Sequence, residues 1–278
     1  MSRLLVVNAD DMGLTPGVCR AVQRAHAAGV VTSTSVLAVG TAFEQAAATV
    51  REAGLALGAH LAIVGEDRPL LSAREVPTLV DREGRFPLSY RTVVVRGAAG
   101  RIDADDVARE FSAQLERVRG VGVPVTHLDT HQHTHLWPGV AAVVMDLARQ
   151  AGIRCVRLPV SRRRGPLGTG VRVLAARLRR RLDEAGLVTT DAYAGLDEAG
   201  DMDGERFATA LRRLTDEGAT SAEINTHPGE AGEPDLSRFE WGYRWADELA
   251  MLTASSTRSM VERSGWRLAT FADVAASA

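Results

Sequence analysis

Short apolar, β-branched runs alternate along this chain with longer segments whose apolar residues recur at helical spacing. Such alternation is the signature of repeated βα units that build a parallel sheet. The runs predict strands at residues 4–7, 32–39, 55–59, 125–128, 153–158 and 222–225. Thr15 is placed to cap a helix that starts at Pro16 and runs toward Ala28, before Gly29. Val107, Phe111, Leu115 and Val118 form one apolar stripe of a second helix, and residues 139–150 make a third. A long amphipathic helix over 246–263 and a short strand or turn at 267–271 complete an α/β pattern with parallel strands.

Composition narrows the class. At 278 residues the chain exceeds the ~100–200 of a common domain but approaches the ~250 of an α/β barrel. Its 33 basic and 35 acidic residues leave a net charge of −2, so no global basic field points to nucleic acid. Every basic residue is arginine. Without lysine, a Schiff-base enzyme, a Walker phosphate loop and a Ser–Lys nucleophile are excluded. Cys19 and Cys155 offer no disulfide framework, and both are expected as small buried residues in a reducing compartment. The chain shows neither a signal-peptide pattern nor an uncharged run of about 18 apolar residues. The expectation is therefore a soluble, cytoplasmic protein with no membrane partner.

One segment departs from this average. Residues 161–182 carry Arg162, Arg163, Arg164, Arg179, Arg180 and Arg181 among others, with no aromatic residue interleaved for base stacking. The segment is expected to be a surface insertion with a solvated basic helix; a lid over a site or an anionic substrate are its alternatives.

The polar residues gather where the predicted strands end. Asn8, Asp10 and Asp11 follow the first strand, and His60 follows the third. Asp129, His131, His133 and His135 follow the fourth, Arg157 lies near the end of the fifth, and His227 follows the sixth. In parallel α/β folds the C-terminal strand ends share one face, so five strands deliver carboxylates, imidazoles and a guanidinium to one rim. A histidine cluster beside aspartates points to a metal. Adjacent carboxylates repel unless a cation offsets the cost, which lets one Asp ligate while its neighbour accepts a proton from water. Small Gly58 and Ala59 before His60 would let the backbone pass close to a bound group. Pro228 and Gly229 turn the chain sharply after His227, which would hold its imidazole at the rim as a general acid. Trp137 suits either a sugar face or core packing.

Several segments in this order resemble the YdjC-like carbohydrate deacetylases, the family of the chitooligosaccharide deacetylase. They are Asn8-Ala-Asp-Asp-Met-Gly-Leu14, Gly29-Val-Val-Thr-Ser-Thr-Ser35, Gly58-Ala-His-Leu61, the run from Thr126 through His135, and Thr226-His-Pro-Gly229. Met12 and Thr130 depart from the family's usual Phe and Ser. The resemblance implies a distorted (β/α) barrel forming a single domain over residues 1–278. It also implies metal-dependent removal of an acetyl group from an N-acetylated amino sugar in a saccharide or glycoconjugate. By matching position, Asp11, His60 and His131 hold the divalent ion, Asp10 is the general base and His227 the acid. Arg157, near the developing oxyanion, and Trp137, His133 and Asp129 are further substrate-binding candidates.

The two-His, one-carboxylate set suits Zn²⁺, Mn²⁺ or Co²⁺ on ligand softness, whereas the family resemblance implies Mg²⁺. Two rival functions share these residues. A metal phosphoesterase would use the arginines of 161–182 on phosphate, and a non-catalytic module would only bind metal or saccharide. The low net charge and the group Phe239, Trp241, Tyr243 and Trp245 suit either a homodimer surface or a substrate wall.

Overall fold

The computed structural model describes residues 3–278. Among these residues eight strands form one sheet: β1 (Arg3–Met12), β2 (Ser33–Val36), β3 (Ala56–Leu61), β4 (Val125–Thr130), β5 (Cys155–Val156), β6 (Ala192–Ala194), β7 (Ser221–Thr226) and β8 (Trp266–Leu268). The spatial order is β5-β4-β3-β2-β1-β7-β6, with β8 beside the start of β1. Every pairing is parallel. The sheet curls into a half-barrel, the distorted (β/α) barrel that the resemblance implied.

Alternation along β1 sorts the two faces. Leu5, Val7 and Ala9 point outward into the main core with the surrounding helices. Leu4 and Val6 point inward and join Cys155, Phe271 and Val274 in a second apolar cluster. The C-terminal helix Phe271–Ser277, fixed by a Thr270–Asp273 capping box, thus plugs one end of the curl. Further along the same inner face come Asn8 and Asp10, so the interior is apolar at its base and polar toward its mouth.

The capped helix is present at Pro16–Ala27, with Thr15 accepting from the Val18 amide at 3.2 Å. The stripe Val107, Phe111, Leu115 and Val118 is buried in Ala104–Arg119, and residues 139–150 fall inside Pro138–Ala151. Cys19 and Cys155 are both free and buried. Two expectations need correction, and one strand is additional. The predicted strand at 153–158 pairs only over Cys155–Val156, and the short strand β6 was not anticipated. The single helix over 246–263 is two, Trp245–Thr253 and Ser255–Arg263, broken at an extended Ala254. At the break the Met251 carbonyl accepts the Ala254 amide at 3.2 Å and the Thr257 hydroxyl at 2.7 Å. No helix among the described residues is long and apolar enough to cross a membrane.

Candidate metal centre and cavity

The two adjacent aspartates owe their shared direction to a bulge. Ala9 pairs with Thr34 and Met12 with Val36, so two residues of β1 oppose the single Ser35 of β2. Strict alternation would send Asp10 and Asp11 to opposite faces. Instead Asp11 adopts φ 61°, a left-handed conformation that Asp tolerates better than most residues, and both carboxylates reach the mouth of the curl. Gly13, at φ 98°, then turns the chain out of the strand.

Asp11 is the centre of a converging set. Its Oδ1 lies 2.9 Å from His131 Nδ1 and 3.3 Å from His60 Nε2, with all three residues buried. These ligand atoms lie within 4.8 Å of one another. His60 turns its other nitrogen, Nδ1, to Asp129 Oδ1 at 2.6 Å. An imidazole oriented by a carboxylate behind it is the usual support of a metal-ligating His. Burial would raise the Asp11 carboxyl, but the two histidines outweigh it and hold the group well below the usual carboxylate range. Burial would lower His60, yet Asp129, Asp11 and Asp10 lift it to about 10. The donor set thus fits a divalent cation, which would take the place of the proton that these carboxylates otherwise attract.

Arg157 lies beneath this set, fully buried rather than on the cavity wall. It grips Asp10 in a fork, Nη1 to Oδ2 and Nη2 to Oδ1, both at 2.6 Å. Its Nε donates to Glu223 Oε1 at 2.7 Å, and Nη2 is 2.9 Å from Asp129 Oδ2. Asn8 Nδ2 adds a bond to Asp10 Oδ1 at 2.7 Å, and Asn225 Nδ2 one to Oδ2 at 3.2 Å. Burial works to raise Asp10 and Asp129, but Arg157 and then His60 outweigh it and hold both carboxyls low. Glu223 receives less compensation, and burial pushes it up to about 7. As substrate-binding candidates, Arg157 and Asp129 are therefore misplaced: both are 0% exposed and act on the carboxylates and histidines that face the cavity.

The four histidines of the cluster have four different surroundings. His131 joins Asp11. His127 is fully buried, bonded to Ser35 at 3.0 Å and stacked on Phe271 at 3.8 Å, and burial pushes it down to about 4. Gly58 makes room for that ring, since a Cβ there would lie 2.1 Å from His127 Cε1. The expected close approach at Gly58 is thus to a histidine, not to a bound group. His135 is locked between Thr130 Oγ1 at 2.6 Å and the Arg157 carbonyl at 3.0 Å. His133 faces the cavity, on a turn where it and Gln132 both adopt left-handed φ near 50°. Gln132 uses that turn to bridge the Tyr90 amide and the Leu88 carbonyl, both at 2.8 Å.

Above these groups is a cavity of about 260 Å³. Asp10, Asp11, His60, His131 and His227 line its floor; Tyr90, Trp241 and Tyr243 contribute aromatic wall. His227 Nε2 is 4.0 Å from Asp10 Oδ2, and its ring stands edge-on to Tyr243 at 5.0 Å. The His227 amide donates to Glu248 Oε2 at 2.6 Å, so a buried carboxylate from the helix Trp245–Thr253 fixes the turn after β7. Trp241 leans over His131 at 5.2 Å and donates its indole N–H to Glu66 at 2.9 Å. Of the four expected aromatic residues, Trp241 and Tyr243 line the cavity, while Phe239 and Trp245 are buried behind them. Trp137 packs elsewhere, against Gly97.

The arginine-rich segment enters the helix Pro166–Glu184 only from Pro166 on, and it contributes no residue to the cavity. Arg162 pairs with Glu217 and Arg163 with Asp197, while Arg179 and Arg181 donate to the carbonyls of Thr190 and Pro138. These four guanidinium groups tie surface elements together, and none of the arginines of 161–182 lines the cavity where a phosphate ester would have to sit. The sequence assigns no role to Ser35, Tyr193, Glu223 or Asn225, and Glu248 stands out in it only through the family resemblance. Strand-end position flags Asn225, but the others lie inside strands or helices, where only the folded partners reveal them.

A curled parallel sheet with a buried Asp–His–His set at its mouth presents a candidate metal-binding group at the C-terminal ends of its strands. The family model described as YdjC-like protein matches residues 4–263, and the chain belongs to that family. It is 34% identical to a human carbohydrate deacetylase, over 97% of this chain and 90% of that one. It is 30% identical to a chitooligosaccharide deacetylase of Serratia marcescens, over 99% and 100% of the two chains. The fold also matches a crystal structure from Enterococcus faecalis V583, a provisional cellobiose-phosphate cleavage protein. That match has a TM-score of 0.84 at 24% identity, covering 98% of this chain and 99% of the other.

Proposed function

We propose that this chain, acting as one domain, is a divalent-metal-dependent hydrolase that removes the acetyl group from an N-acetylated amino sugar. The observation that carries the reading is the meeting of Asp11 Oδ1, His60 Nε2 and His131 Nδ1 in the cavity floor beside Asp10 and His227. The family's curated relatives, named carbohydrate and chitooligosaccharide deacetylases, support the substrate class.

Asp11, His60 and His131 would hold the cation, leaving positions open because three protein ligands do not fill its coordination sphere. When bound, the ion supplies Lewis acidity that polarises the acetamide carbonyl and acidifies water. The residues of the chain supply the proton movements. Asp10, kept ionised by Arg157, accepts a proton as water adds to the carbonyl carbon. His227, on the other side of the same space, donates a proton to the nitrogen as the C–N bond breaks, leaving acetate and the free amine. Trp241 and Tyr243 cover the apolar face of the sugar ring, and His133 contacts the sugar's hydroxyl groups.

Acetate release from a panel of N-acetylated saccharides, with and without chelator, tests the reading. Activity is expected to vanish with chelator and in Asp10→Asn and His131→Ala. Reconstitution with Mg²⁺, Mn²⁺, Co²⁺ and Zn²⁺ ranks the ions. Acetate release that survives both chelation and His131→Ala refutes the metal-dependent mechanism.

A further inference from the structure

Asp10 is held on one side by a chain of two side chains that the catalytic reading leaves unused. Asn225, on β7, donates Nδ2 to Asp10 Oδ2 at 3.2 Å. Its other amide atom, Oδ1, accepts the hydroxyl of Tyr193, from β6, at 2.5 Å. Asn225 and Tyr193 are 1% and 2% exposed, so neither contact is shared with bulk water.

A side-chain amide can be turned over with almost no change of shape, so its orientation is set by its partners. The wrong orientation would point Oδ1, an acceptor, at the Asp10 carboxylate, which is acceptor-only. The phenol of Tyr193 has one proton to give and gives it to Oδ1, which leaves Nδ2 for Asp10. Burial pushes the Tyr193 hydroxyl well above its usual range, so it remains a donor. Gly195 closes the arrangement from above. It runs at φ 117°, and a Cβ there would meet Asn225 Oδ1 at 2.0 Å. The backbone after β6 thus lies directly on the amide that Tyr193 orients.

We propose that Tyr193 is a positioning residue for Asp10, acting through the side-chain amide of Asn225. The inference rests on the deacetylase reading for its kinetic readout but not for its structural one. Without the phenol, Asn225 loses one of the two partners that select its orientation, and its donor to the Asp10 oxygen nearest His227 is held less firmly.

The test compares wild type, Tyr193→Phe, Asn225→Ala and the double variant. Tyr193→Phe is expected to lower kcat about tenfold, the size of one hydrogen bond, with KM within about twofold. The double variant is expected to be no slower than Asn225→Ala alone, because the phenol gives its one proton to Asn225. An unchanged kcat in Tyr193→Phe, or a double variant slowed by the product of the two single effects, overturns the proposal. The side-chain amide protons of Asn225, assigned by their loss in Asn225→Ala, give a readout free of turnover. They should be slow to exchange in wild type and fast in Tyr193→Phe; equal protection in both also overturns it. If wild type releases no acetate from any substrate, the deacetylase reading fails and the exchange measurement still decides the role of Tyr193.

Discussion

Replacing Arg157 by Met tests the central electrostatic arrangement. The guanidinium is 0% exposed and contacts Asp10, Asp129 and Glu223 at 2.6 to 2.9 Å. Met keeps much of the side-chain volume but leaves three buried carboxylates without their shared cation. Removing one partner of a buried ion pair costs ~3–5 kcal/mol, because the remaining charge is stranded. For a chain of this size, that corresponds to a fall in Tm of roughly 6–20 °C. Urea unfolding followed by circular dichroism measures the difference at pH 7, and again at lower pH. The sign with pH follows from the native pKa values. Asp10 and Asp129 are depressed in the fold, so their contribution is present at neutral pH and lost as pH falls toward those depressed values. Arg157→Met has already lost it, so the gap to wild type should narrow on acidification. A loss below about 1 kcal/mol at pH 7, typical of exposed pairs, would refute this account of Arg157. So would a large loss of kcat with unchanged stability, the signature of a residue that works on substrate alone.

Four further outcomes are expected. Cation binding at pH 7 should release about one proton per ion, seen by calorimetry in buffers of different ionisation enthalpy, because His60 holds its proton to about 10. At a hundredfold excess over Kd the same cation should stabilise the fold by ~2.7 kcal/mol, an effect absent in His131→Ala. Glu223→Gln should gain in Tm relative to wild type between pH 5 and pH 8. The native group ionises only near 7, against about 4.5 unfolded, so wild type loses stability over that interval and the neutral amide does not. Gly58→Ala should cost ~1–3 kcal/mol in urea unfolding by pressing a methyl into the His127 ring, and the added change His127→Ala should recover part of that loss.

What the sequence makes legible here is whatever depends on strand-end position. In a parallel sheet all strands run the same way, so residues that follow an apolar run arrive at one rim whatever the loops do. Asp10, Asp11, His60, His131 and His227 are therefore recoverable from spacing, and all five line one cavity. Arg157 shows the limit of the same argument. It also lies near a strand end, but β5 is two residues long and the guanidinium turns down into the curl, where three carboxylates collect it. Position locates a residue at the rim; depth is decided by which partners the interior offers.

The partners were hard to see because they belong to strand interiors that read as ordinary β-sequence. Glu223 in Ser-Ala-Glu-Ile-Asn-Thr alternates as an exposed polar residue of a half-buried strand would. Period-two alternation names two faces without saying which is wet. Here the apparently solvent-facing set points into the curl, where helix Phe271–Ser277 shuts out water from below. Polar residues on that face must then satisfy one another, and they do so around one arginine: Asp10, Asp129 and Glu223 bind Arg157, and Asp129 passes the constraint to His60. The rim groups that can be read from sequence are thus held by an inner layer that cannot. The bulge at Asp10 and Asp11 joins the two layers, because it gives one carboxylate to the arginine below and the next to the histidines above.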